Sequence, residues 1–116
     1  MREKIFDRKE LLREALEFFN DVLAVKDSLN DDTSRRLAKG LEQYAFFAFF
    51  HMWKAWKSFG NEDKEKQFLR KVVDDFLECI YLIKELRVKV NFGALASIAL
   101  KTKVERMLII LTKNSD

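Results

Sequence analysis

Few side chains in this sequence could do chemistry. Among 116 residues there is one histidine, His51, and one cysteine, Cys79. A general base needs a hydrogen-bonding partner and a cleft. Neither is written around His51, which lies inside an aromatic run over residues 44–56 and reads as a structural histidine. Cys79 stands among Phe76, Leu77 and Ile80 and reads as a small, inert, half-buried residue. Two acidic pairs, Asp31-Asp32 and Asp74-Asp75, raise carboxylate catalysis or metal binding. Adjacent helical positions point about 100° apart, so Asp74 and Asp75 do not address one site, and Asp31-Asp32 fits the start of a helix. One His and one Cys are too few for an ordinary zinc site. A single Cys makes no disulfide within the chain. The three glycines, Gly40, Gly60 and Gly93, form no phosphate loop. No catalytic residue, metal or cofactor is expected, and the chain is not expected to be an enzyme.

The elements that position these residues read as helices throughout. The chain is 48% hydrophobic and 35% charged, with no proline, a globular composition of one-domain length. Apolar residues recur at helical spacing and nowhere alternate with period two. Four helices are expected, over about 7–27, 33–59, 62–88 and 92–113. Asp7 with Glu10 resembles a capping box. In the first helix Leu12, Leu16, Phe19 and Leu23 form one stripe, and Leu11, Ala15, Phe18, Val22 and Val25 a second. Residues 28–33 are rich in turn and capping types. Gly60 suits a helix stop, Asn61, Glu62 and Asp63 a helix start, and Asn91 a further cap. Long helices with short connections predict an all-α fold, an antiparallel up-down four-helix bundle spanning 1–116 as one domain. The charged start does not suit a signal peptide. No apolar run approaches the roughly 20 residues of a membrane span. No membrane partner is expected, and the chain reads as soluble and cytoplasmic.

The second helix holds seven of the fifteen aromatic residues between Tyr44 and Trp56. Residues 44–50 are all apolar or aromatic, so apolar groups go right around the helix, and one core covers only one side of it. Self-association is the first expectation for the other side, with Phe47, Phe50 and Trp53 as the interface residues. Burial of the whole helix by its own bundle, or a cofactor pocket, are the alternatives.

The net charge of +3 is unevenly placed. Residues 1–30 carry six basic and seven acidic groups, and residues 84–116 carry seven basic and three acidic. Lys103, Arg106 and Lys113 share a helical face at spacings of three and seven, and Lys84 and Arg87 are neighbours on another. In an antiparallel bundle Lys84 and Arg87 approach Lys101. This cluster suits the phosphate backbone of RNA or DNA; the alternative is an ordinary solvated face. Charge reversal at Lys103 and Arg106 is then expected to weaken RNA binding without unfolding the bundle. No exposed aromatic platform or recognition helix is legible, so base readout is not expected.

Three segments, Leu82-Ile-Lys-Glu-Leu86, Glu105-Arg-Met-Leu108 and Ser34-Arg-Arg-Leu-Ala-Lys-Gly-Leu-Glu-Gln43, carry a resemblance. They resemble a family of small four-helix bundles that includes the accessory variability determinant (Avd) proteins of diversity-generating retroelements and the proteins encoded in ribosomal RNA intervening sequences. In that pattern Lys84 takes the Lys of a Leu-Ala-Lys-Glu-Leu-like helix end, Asn91 the following cap and Arg106 the Arg of a Gly-Arg-Met-Leu-like segment. The likeness covers roughly residues 15–113. The chain departs from the pattern at Glu105, where members carry a small residue, and at Ile109-Ile110, where they often carry two glycines and Trp. The resemblance implies a homopentameric ring with a basic surface and, for the retroelement branch, a reverse transcriptase and its template RNA as partners of a non-catalytic accessory protein. The alternative is a structural protein–protein interaction bundle that binds no nucleic acid.

Overall fold

The computed structural model describes residues 8–58, 60–89 and 94–113. Four helices follow in order: α1 Arg8–Asp27, α2 Asp32–Lys57, α3 Glu62–Lys89 and α4 Ala94–Lys113. Each helix packs on its two neighbours around a square: α1 on α2, α2 on α3, α3 on α4 and α4 back on α1. Among the described residues the diagonal helices do not approach one another as backbones. This is the expected four-helix bundle. The Asp7 and Asn91 caps lie outside the described residues.

The core repeats one spacing on every helix. Leu11, Ala15, Phe18 and Val22 face inward on α1, and Val72, Phe76, Cys79, Ile83 and Leu86 on α3. On α4 the inward positions are Leu100, Val104, Met107 and Leu111. On α2 they are Ser34, Ala38, Leu41, Ala45, Ala48, Met52 and Ala55. Steps of four and three alternate, an average of 3.5 residues, which keeps a seam facing its neighbours in helices crossing at shallow angles. Of the two α1 stripes, the one through Leu11 and Phe18 is buried, whereas Leu16 of the other is exposed. Phe18 and Phe76 meet edge-to-face across the diagonal, ring centres 6.2 Å apart.

Local chemistry sets the boundaries. Asp31 is extended and caps α2, its carboxylate accepting from the Ser34 amide at 2.8 Å and the Ser34 hydroxyl at 2.7 Å. Those bonds hold the Asp31 carboxyl below its ordinary value. The cap therefore stays charged into acid, and its contribution is lost as pH falls through that lowered value. Gly60 takes φ +97° after α2, a left-handed conformation that L side chains rarely adopt. Asn61 accepts from the Lys64 amide at the start of α3.

Alanine dominates the inner face of α2, and the α2–α3 contact is the most extensive in the bundle. Gly40 belongs to the same close approach: a Cβ there would lie 3.6 Å from Leu82 Cδ1, ordinary contact with no clash. Gly40→Ala therefore gains helix propensity without strain. It should stabilise the fold by about 1 kcal/mol, read as a higher urea midpoint at unchanged slope.

Candidate nucleic-acid interface and aromatic face

The six candidate phosphate contacts divide between two sides of α4. Lys84 and Arg87 from α3 line a groove with Lys101, Thr102 and Ser97 from α4, so the expected approach of these three cations is observed. Glu105 also lines it and sits 3.5 Å from Lys101 Nζ. Lys84 and Arg87 make no ion pair among the described residues. The groove holds about 200 Å³, below the roughly 300–1,000 Å³ of sites that enclose a small molecule. It suits a phosphate group better than a cofactor.

Lys103 and Arg106 turn the other way. Lys103 pairs with Asp21 of α1, and Arg106 with Glu14 of α1. Glu14 is 6% exposed, so Arg106 neutralises a carboxylate held away from water. These two cations thus tie α4 to α1 instead of standing free in the bundle. Lys113 lies exposed in the last turn of α4. The helical face that the spacing gave to Lys103 and Arg106 is real, but it is the face turned toward acidic α1.

The aromatic helix is built inside out. While alanines face the core, Phe46, Phe47, Phe50, Trp53 and Trp56 stand on the surface at 37–45% exposure. The bundle does not bury the whole of α2, which removes that alternative for the chain alone. Phe46 and Phe50 lie nearly parallel, 17° and 6.3 Å apart, and Phe50 leads to Trp53 at 6.3 Å. Lys54 and Lys57 place Nζ 5.5 Å from the Phe50 and Trp53 ring centres. The three expected interface residues, Phe47, Phe50 and Trp53, therefore lie in one exposed array.

His51 does have a partner. Its Nδ1 and Asp75 Oδ2 share a hydrogen bond of 2.6 Å between α2 and α3. The imidazole stacks on Phe68 and touches Phe47 and Phe50. Burial pushes the Asp75 carboxyl above its ordinary value, with the His51 bond pulling it down. Asp74 is exposed while Asp75 is buried, as their angular separation requires. Cys79, one turn on, is fully buried, and burial pushes its thiol well up. A thiol held protonated is a poor nucleophile, so the His51–Asp75 pair has no activated nucleophile in Cys79. Among the described residues no three His, Cys, Asp or Glu side chains gather as a metal site. No described helix is long and apolar enough to cross a membrane.

Two contrasts follow. Arg106→Glu should destabilise the fold by about 1–3 kcal/mol, because it strands the Glu14 carboxylate, whereas Lys84→Glu should stay within about 0.5 kcal/mol of the native chain. Urea unfolding of both variants measures this. Asp75→Leu should destabilise by about 1–3 kcal/mol by leaving a His51 ring nitrogen unpaired, and Asp75→Asn, which keeps an acceptor, should lose much less. Compared with protein-family models, curated proteins and solved structures, the chain finds no match.

Proposed function

We propose that this chain is a non-catalytic, homo-oligomeric nucleic-acid-binding accessory protein. The observation that carries the proposal is the α3–α4 groove, where Lys84 and Arg87 have no ion-pair partner among the described residues and Lys101 is only loosely held by Glu105. Cations left unpaired around a narrow groove suit phosphate oxygens, which bind largely through charge and counterion release. Lys113 extends the basic surface at the end of α4. Lys103 and Arg106 serve chiefly as cross-helix struts, so their reversal should disturb the bundle before it disturbs binding. Oligomerisation through the exposed face of Phe47, Phe50 and Trp53 multiplies weak contacts once per subunit. The retroelement resemblance adds a reverse transcriptase and its template RNA as the partners.

A second reading is a structural bundle that docks protein and binds no nucleic acid. The Lys103–Asp21 and Arg106–Glu14 pairs favour it, since they employ part of the basic surplus inside the fold.

Binding of labelled single-stranded RNA across a salt series decides between them, with solution mass measured on the same samples. The expected outcome is a steep fall of affinity with salt. Lys84→Gln with Arg87→Gln should lessen the slope by roughly 1.4, about 0.7 for each single-strand phosphate that is no longer neutralised. An unchanged slope in the folded double variant removes the groove assignment. No binding at low salt leaves the structural reading.

A further inference from the structure

The outer face of α2 repeats the spacing of its core. Lys39, Gln43, Phe46, Phe50, Trp53 and Lys57 follow one another at steps of four and three, and all of them are exposed. Any helical face repeats at these steps; what marks this one is that Phe46, Phe50 and Trp53 stand together at its centre with Lys39 and Lys57 at its ends, on the side opposite Ala45, Ala48 and Met52. An apolar centre with cationic ends suits a partner face with an apolar centre and an acidic end.

Only certain helices fit. A second copy of the same face, laid antiparallel about Phe46 and Phe50, would set Lys39 against Lys57, and laid parallel would set each lysine against itself. Like charges across a seam oppose association. The outer face of α3 carries the same steps with different chemistry: Asp74, Leu77, Tyr81, Lys84 and Val88. Leu77 is 53% and Tyr81 57% exposed, large apolar groups standing on the surface.

We propose that the outer face of α2 docks antiparallel on the outer face of α3 of a second copy, head-to-tail, which rests on the self-association proposed above and assigns its two surfaces. In this register Phe50 meets the partner's Tyr81, Trp53 meets the partner's Leu77, and Lys57 faces the partner's Asp74. Phe46 comes to the aliphatic stem of the partner's Lys84, which leaves that ammonium at the α3–α4 groove. The centre of the seam is then apolar on apolar, its Lys57 end is cation on carboxylate, and no like charges oppose across these four pairs. Because α2 and α3 occupy adjacent corners of the square, the two docking faces point in different directions. Each added subunit is therefore turned relative to the last, the geometry of rings and helical arrays.

Two exposed-site variants test this: Phe50→Glu with Trp53→Glu on α2, and Leu77→Arg with Tyr81→Arg on α3. Solution mass is measured for the native chain, for each variant and for an equimolar mixture, with helicity confirming that each is folded. Head-to-tail docking predicts that each variant alone falls to the 13.8 kDa monomer. It predicts that the mixture, which retains one intact α2 face and one intact α3 face, forms a species of twice that mass and no larger. Lys57→Asp should dissociate the native assembly and Asp74→Lys in the same chain should restore it. A native chain that is monomeric at high concentration overturns both this docking and self-association. An α3 variant that keeps the native mass, or a mixture that stays monomeric, overturns the head-to-tail docking alone. An α2 variant that keeps its mass but loses RNA binding assigns that face to nucleic acid instead.

Discussion

The closeness of α2 to α3 is the constraint on which the rest depends. Ala38, Ala45, Ala48 and Ala55 keep the inner side of α2 thin, and Leu82 lies over Gly40. Beside those alanines, Leu41 and Met52 fill the interior, and packing at that density leaves the ring side chains of Phe46, Phe50 and Trp53 outside. They stand in a row on the other side. The exposed array is thus the complement of the thin interior, and one helix builds both a core seam and a surface seam. His51 sits between them, touching the array through Phe47 and Phe50 and anchored to α3 through Asp75.

Charge does different work on the far side of the square. The α1–α4 contact is the least extensive of the four, and it is there that Lys103–Asp21 and Arg106–Glu14 cross between helices. The Lys26–Glu42 pair at 2.7 Å does the same between α1 and α2. A slim apolar seam leaves rotation and sliding weakly fixed, and paired charges at set positions restrict both. Toward α3 the same helix presents Lys101 beside Lys84 and Arg87 without a matching set of carboxylates. Helix α4 therefore uses Lys103 and Arg106 for register along one edge, and along the other sets Lys101, paired within its own helix to Glu105, beside two cations of α3.

The bundle was legible because the 3.5-residue spacing, the Asp31 and Asn61 caps and Gly60 are all local signals. The helix limits fall within about two residues of those expected, a normal spread for frayed ends. The surplus apolar surface of α2 was legible too, from residues 44–50 alone. What one sequence does not carry is which helix faces rotate toward each other. Lys103 and Arg106 share a face by spacing, yet nothing in their own helix says that Glu14 and Asp21, more than eighty residues earlier, lie opposite. The partner of His51 was hidden for the same reason: Asp75 is 24 residues away on another helix. The signal that could have found it was the inward position of Asp75 one turn before Cys79, a polar residue on a core stripe that requires a partner.

Cys79 gives the bundle a built-in gauge of its own opening. The thiol is the only one in the chain, has no exposed surface and is held protonated by burial. A thiol reagent meets it only when the core around α3 parts far enough to admit both reagent and water. The alkylation rate in native buffer then equals the rate of a free thiol scaled by the open fraction, so slow labelling reports the free energy of that parting. Because Phe76 and Ile83 flank the thiol on the inward stripe of α3, the reading comes from within the longest helix and not from its ends.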